Sequence, residues 1–182
     1  MATTPALMTV EEFQKLQDPP GAYYELRHGA AVARTRPKWN HTTIQERLRE
    51  LVRSRNVTRG IVRVELPYRP VPEHELWVAD VAYARRERCA GLAADVFRGA
   101  PDLVIEVLSP SNTVEEMDDK APICLENGTL EFWVVNPERK AVTVYVNDGL
   151  RLHRTHEAVS VDRLFPGQPA IPVAEIFTEP EM

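Results

Sequence analysis

Residues 103–108, Leu-Val-Ile-Glu-Val-Leu, place the tightest constraint on how this chain can fold. A short apolar run between Pro101 and Pro110 reads as a buried strand. Glu106 stands in the middle of it. An ionised carboxylate among Val104, Ile105, Val107 and Leu108 is costly unless it is paired or bound to a cation. Asp80 raises the same question in Trp-Val-Ala-Asp-Val-Ala-Tyr-Ala, residues 77–84. Two neighbouring strands with one acid each can bring those acids together. At about 4 Å their repulsion is on the order of 4 kcal/mol at an effective dielectric of about 20. One of them is then protonated, or a cation lies between them.

The rest of the chain supplies the elements around these strands. Thr9 and Glu12 fit a capping box, predicting a short helix to about Leu16 that Pro19-Pro20 ends. Tyr23 to Arg27 and Ala31 to Arg34 predict a hairpin around His28-Gly29. Asn40 is placed to cap a long helix whose apolar stripe is Ile44, Leu48, Leu51 and Val52. From Ile61 the period becomes two, giving a strand that Pro67, Pro70 and Pro72 break. Leu76 to Ala84 and Pro101 to Leu108 are the next strands, joined by a long connection, 85–100. Ser109 to Asn112 turns the chain. Asn112 or Thr113 caps a helix to about Glu126, which Asn127-Gly128 stops. Leu130 to Val135, Ala141 to Val146 and Arg151 to Thr155 are strand-like, the last two joined by a turn at Asn147-Asp148-Gly149. The run Phe132 to Val135 reads as core, although it leaves room for a homodimer. A last short helix falls near Glu175. This order predicts one domain over 1–182, of α/β (α+β) class, with a mixed central sheet flanked by helices and extra β-hairpins.

Composition narrows the class. Of 182 residues, 43% are hydrophobic and 27% charged, as in ordinary soluble domains. No apolar run approaches the length of a membrane helix. The first residues lack the basic and apolar regions of a secretory signal. Cys89 and Cys124 lack metal-type spacing and read as reduced thiols of a cytoplasmic protein. A net charge of -5 argues against a large basic surface for nucleic acid, though not against a local basic cleft.

Lys120 follows Asp118 and Asp119 on the helix that leaves the Glu106 strand, from where its ammonium can reach back to the acids. Asp80, Glu106 and Lys120 are the residue types of a metal-assisted phosphodiester hydrolase. A divalent ion on the two acids polarises the phosphate and acidifies a water; the lysine orients that water and offsets developing charge. The same residues fit a bland reading. In it Asp80 faces solvent, Glu106 pairs with an arginine, and Lys120 lies on the surface.

The pieces YYELRHGAAV, NHTTI, VADVAY, PDLVIEVLSPSN, the lysine of DDK, LEFWVVNP and VTVYVNDGLRL resemble the Uma-type restriction-endonuclease family of the PD-(D/E)XK nuclease superfamily, from about Met8 to Phe177. The resemblance implies a nuclease acting on DNA with Mg2+ or Mn2+. Asp80 becomes the first acid and metal ligand, Glu106 the second, and Lys120 the catalytic lysine. It also implies supporting roles for Glu25, as a further ligand or water contact, and for His41, whose other reading is a capping or surface histidine. Leu108 stands where the strict motif has lysine. Ala79 replaces a usual proline before the first acid, and Asn136-Pro137 a more usual acidic turn. Pro122 inside the Lys120 helix predicts a later helix start or a kink that could spoil the lysine's aim. Asp102 follows Pro101 as in the motif's name, but four residues along a strand put it about 13 Å from Glu106, too far to share an ion. The alternative is a catalytically degenerate nuclease fold acting as a binding or assembly subunit, which the acidic net charge and Pro122 motivate. Arg85, Arg86 and Arg88 then read as solvated surface more readily than as a DNA track.

Overall fold

A computed structural model describes residues 7–57, 60–89, 96–109 and 112–178. Helix α1 (Val10–Phe13) opens with the capping box: Glu12 N–H donates to Thr9 Oγ1, and Thr9 N–H donates to Glu12 Oε2. It is shorter than its expected reach to Leu16. Strands β1 (Ala22–Arg27) and β2 (Ala30–Thr35) form the expected antiparallel hairpin. Its turn puts His28 and Gly29 at φ of 48° and 70°, and a Cβ on Gly29 would lie 2.6 Å from Leu7 Cβ, so glycine suits the second position.

Helix α2 (Trp39–Arg55) buries Leu48, Leu51 and Val52, as its stripe predicts. Its N-cap is Lys38, not Asn40, which lies in the first turn; no side chain caps it. Strand β3 (Ile61–Arg69) runs through Pro67 rather than breaking there. Strand β4 (Trp77–Ala84) pairs antiparallel with it. A 3-10 turn at Arg86–Cys89 begins the long connection, of which 90–95 lie outside the described residues. Strand β5 (Phe97–Arg98) pairs with β3 only at Tyr68 and Arg69, so Pro67 stands where that side of β3 has no ladder partner among the described residues.

Strand β6 (Leu103–Val107) is buried throughout. Pro110 and Ser111 of the turn after it lie outside the described residues. Helix α3 (Val114–Glu126) is capped by Thr113, whose Oγ1 accepts from Glu116 N–H. Pro122 lies inside α3, which starts at Val114 rather than later and continues to Glu126, and Lys120 still reaches Glu106. Strands β7 (Glu131–Asn136), β8 (Ala141–Val146) and β9 (Gly149–His153) follow, then the short pair β10 (Ala158–Val159) and β11 (Ile171–Pro172), and α4 (Val173–Ile176) near Glu175 as expected.

Seven strands make one mixed sheet in the order β5-β3-β4-β6-β7-β8-β9. The β6–β7 pair is parallel, and α3 makes the crossover between them. Alternate strand residues feed two cores. Val81, Tyr83, Leu103, Ile105 and Trp133 pack with the α2 stripe on one face. Ala82, Val104, Phe132 and Val134 pack with Met117, Ala121 and Cys124 of α3 on the other. The sheet is therefore covered by a helix on each face. We expect Leu48→Ala, which empties a fully buried site between α2 and the sheet, to cost about 2–5 kcal/mol. Thr113→Ala should cost about 1 kcal/mol through the lost cap. Urea denaturation of both variants checks the ranking.

Candidate active site

The site forms where β4 and β6 part. Their ladder joins Tyr83 to Leu103, Ala82 to Val104 and Val81 to Ile105. One step further Asp80 and Glu106 would stand opposite each other, and there the pairing ends. The backbone N–H of Val107 donates instead to Asp80 Oδ2, at 2.6 Å. Asp80 Oδ1 accepts from Gln45 Nε2 at 2.9 Å and lies 2.9 Å from His41 Nε2. Three protein groups therefore hold this carboxylate.

Both strands of the β3–β4 ribbon change faces at this point. Val64 packs against the α2-side core and Leu66 against the α3-side core, although strict alternation puts both on one face. Val81 and Ala79 divide in the same way. Between them on β3, opposite Asp80, is Glu65 with φ of 49°. A non-glycine residue in that region inside a strand is strained, and such strain gathers at functional sites. Glu65 accepts from Gln45 Nε2, which also serves Asp80.

Lys120 is buried, and its Nζ lies 3.2 Å from Glu106 Oε1 and 3.5 Å from Glu25 Oε2. The ammonium also sits 5.4 Å from the Trp77 ring centroid. Glu25 comes from the β1–β2 hairpin. Arg34 Nε donates to its Oε2 and Val78 N–H to its Oε1, each at 2.9 Å. Arg34 and Arg27 both pair with Glu116 of α3, which locks the hairpin to the helix that carries the lysine.

Burial raises the Glu106 carboxyl to about 8 against the pull of Lys120, with the charges of Asp80 and Glu25 adding to the rise. Burial opposes the charge on Lys120, but Glu106 and Glu25 outweigh it and its pKa rises, so it stays an ammonium. Burial also works against the Glu25 carboxylate, but Lys120 and Arg34 prevail and hold it below the usual range. Glu65 is pushed up by burial and by Asp80, against the Gln45 bond. His41 is raised because Asp80 outweighs its burial.

These groups line a cavity of about 640 Å³, within the size range of small-ligand sites. Five carboxylates, Glu25, Glu65, Asp80, Glu106 and Glu138, line it with the cations Arg34, Arg36, Lys38 and Lys120. Among the described residues no three His, Cys, Asp or Glu are arranged as a metal cage. The chemistry of the donors nevertheless fits a hard divalent ion. Magnesium takes one or two carboxylates, keeps several waters and uses substrate phosphate oxygens for the rest. Glu106 is raised first by burial and then by the charges of Asp80 and Glu25, and a cation between Glu106 and Asp80 would offset that repulsion.

The structure brings together all five residues singled out from the sequence. Asp80 and Glu106 line one cavity, and Lys120 is on Glu106. Glu25 grips Lys120 with both its oxygens occupied, and His41 is on Asp80. The bland reading fails for Lys120, which is neither exposed nor on the surface. Asp102 leads into β6 and pairs with Arg85 and Arg88, so two of the three arginines near it serve the fold. Sequence reasoning missed Gln45, Glu65 and Arg34. Gln45 had a signal: with His41 it extends the apolar stripe of α2 toward the site. Glu65 had none, because simple alternation groups it with Arg63.

A mixed sheet between helices, with paired acids at a strand fork and a lysine from the crossover helix, defines a fold of the restriction-endonuclease type. The chain belongs to the Uma2 family, described as "Putative restriction endonuclease", whose model matches residues 10–174. Among solved structures it is similar to a "putative nuclease belonging to DUF820" from Anabaena variabilis ATCC 29413. That match has a TM-score of 0.79 and 21% identity, and covers 93% of this chain and 97% of the other. It bears on the fold. A comparison with curated proteins finds no match.

The raised Glu106 has a consequence for stability. Its folded pKa of about 8 exceeds its ordinary 4.5, so folding takes up a proton between those values. The stabilisation is complete below about pH 4.5 and is lost as pH rises through about 8. In chelator, the wild-type melting temperature should fall from pH 5 to pH 8.5. His41 contributes with the same sign. Glu106→Gln isolates the carboxyl: its melting curve should fall less over that range, as differential scanning fluorimetry can show.

Proposed function

We propose that the protein is a divalent-metal-dependent endonuclease that hydrolyses DNA phosphodiester bonds. The observation that carries this is the convergence of Asp80, Glu106 and Lys120 at the strand fork, inside one cavity. The family's description supports DNA as the substrate. A magnesium or manganese ion held by Asp80 and Glu106 would polarise the scissile phosphate and acidify a water.

The chain's own residues do the rest. His41 and Gln45 on Oδ1 and the Val107 N–H on Oδ2 keep the Asp80 carboxylate from rotating and leave Oδ2 as the oxygen with spare accepting capacity for an ion. Lys120, whose pKa is raised by Glu106 and Glu25 against its burial, stays an ammonium and cannot accept the water's proton. It donates hydrogen bonds, orienting the water and offsetting negative charge on the phosphate. Glu25 positions Lys120. In net terms the water oxygen bonds to phosphorus, the bond from phosphorus to the leaving oxygen breaks, and one proton passes from the water to that oxygen. A phosphate monoester and a free hydroxyl result.

The test is cleavage of supercoiled plasmid and of single-stranded DNA with magnesium or manganese. We expect Asp80→Asn and Glu106→Ala to abolish cleavage, and Lys120→Met to lower kcat by about 10²–10³-fold, the size seen when one charge-stabilising donor is removed. Cleavage that survives in Asp80→Asn and Glu106→Ala overturns the proposal. So does inert wild-type protein that also binds no magnesium by calorimetry, the outcome a catalytically degenerate binding scaffold gives.

A further inference from the structure

The indole of Trp39 has no role in the fold. It is 80% exposed, the most exposed of the large hydrophobic side chains among the described residues, while the other two tryptophans, Trp77 and Trp133, are fully buried. An exposed indole forgoes the burial that makes tryptophan favourable in a core. Trp39 nevertheless sits at a defined place. It is the first residue of α2, two before His41, and lines the same cavity as Asp80 and Glu106. Its backbone is tethered, because its carbonyl oxygen accepts from both Thr42 Oγ1 and Thr43 Oγ1. The root of the ring is therefore fixed while its faces stay open.

Two cations lie close to Trp39 in the chain, and one exposed carboxylate, Glu138, shares the cavity lining with them. Arg36 and Lys38 line the cavity beside it, and the Arg36 side chain is 63% exposed with only a 3.8 Å approach to Asp18. A flat aromatic face among cations, beside acids fit for a phosphate-bound metal, has the components of a single-strand nucleic-acid subsite: stacking for the base, charge for the backbone. A base inside a duplex presents no free face to an indole, because its neighbours cover both sides. Only an unpaired or flipped base can use the platform.

We propose that Trp39 is the stacking platform for an unpaired base next to the scissile phosphate, and that the substrate is single-stranded or locally opened DNA. This deepens the nuclease reading and rests on it for the placement of the phosphate. Arg36 and Lys38 hold the backbone on the approach to the cavity. The platform sets which nucleotide stands at Asp80 and Glu106, so Trp39 acts as a positioning residue.

The buried state of Trp77 and Trp133 makes Trp39 the reporter of its own contact, since a base stacking on it quenches the exposed component of the emission. The experiment titrates the full chain in chelator, where no hydrolysis occurs, with a twelve-residue thymidine oligonucleotide. The controls are an abasic backbone of the same length and charge and a blunt duplex of twelve base pairs. The expected result is saturable quenching by the oligonucleotide and little by the abasic strand or the duplex. Loss of one stacked base should weaken binding of the oligonucleotide to Trp39→Ala by about five- to 150-fold by fluorescence anisotropy, with Trp39→Phe retaining most of the affinity. Anisotropy within twofold of wild type for Trp39→Ala overturns the proposal, as does equal quenching by the abasic strand or tighter binding of the duplex. The outcome separates from that of the nuclease reading. Base-dependent quenching without cleavage of any DNA supports the platform and removes the hydrolysis. Cleavage by wild type with no effect of Trp39→Ala on binding or single-strand kcat/KM does the reverse.

Discussion

The buried ammonium of Lys120 is the interaction on which the remainder of this architecture turns. It lies within 3.5 Å of two carboxylates that arrive from different parts of the chain, Glu106 from the central sheet and Glu25 from the hairpin. A lysine so deeply buried is tolerable only while both partners stay in place. Its presence therefore ties α3, β6 and the β1–β2 hairpin into one arrangement. The Arg27 and Arg34 pairs to Glu116 reinforce the same junction, with Arg34 bridging Glu25 and Glu116. Replacing these ions by apolar groups could make the junction as stable. A polar junction instead leaves a positively charged donor facing two acids beside an open cavity.

The fork between β4 and β6 has a comparable logic. A sheet that kept its ladder beyond Val81 and Ile105 would close over Asp80 and Glu106. Parting the strands leaves the Val107 N–H without a strand acceptor, and the Asp80 side chain supplies one. The side chain thus satisfies the backbone while opening the space its own chemistry needs. The positive φ of Glu65 falls on the neighbouring strand at the same level, where the ribbon carries its apolar residues from one core to the other. Strain, an opened ladder and clustered carboxylates coincide within a few residues. That coincidence is stronger ground for a working site than any one of them.

Electrostatics give the cavity two different ends. Inside are carboxylates, two of which, Glu106 and Glu65, hold their protons more tightly than usual. On the exposed part of the lining are Arg36, Lys38, the bare face of Trp39 and one carboxylate, Glu138. On the proposed reading a polyanion would meet these cations, and its phosphate would approach the acids with a divalent ion between them. The net charge of -5 is compatible with this, because the arrangement is local.

Much of the fold was legible in the chain. The Thr9 and Thr113 caps, the α2 stripe, the His28-Gly29 and Asn147-Gly149 turns, and the apolar strands follow from local rules that act over a few residues. So did the puzzle of Glu106 and Asp80, since an acid in an apolar run signals a partner even when the partner is unnamed. Lys120 carried a further signal in its spacing with Met117, Ala121 and Cys124, the buried face of α3. What tertiary structure alone decided was the company these groups keep. Glu25 as the second hold on Lys120, Gln45 shared between Asp80 and Glu65, and the face change at Glu65 depend on segments tens of residues apart. Periodicity reports which face of an element is buried. It carries no information about which element lies against that face, or where a ladder ends, because those follow from packing the whole chain at once.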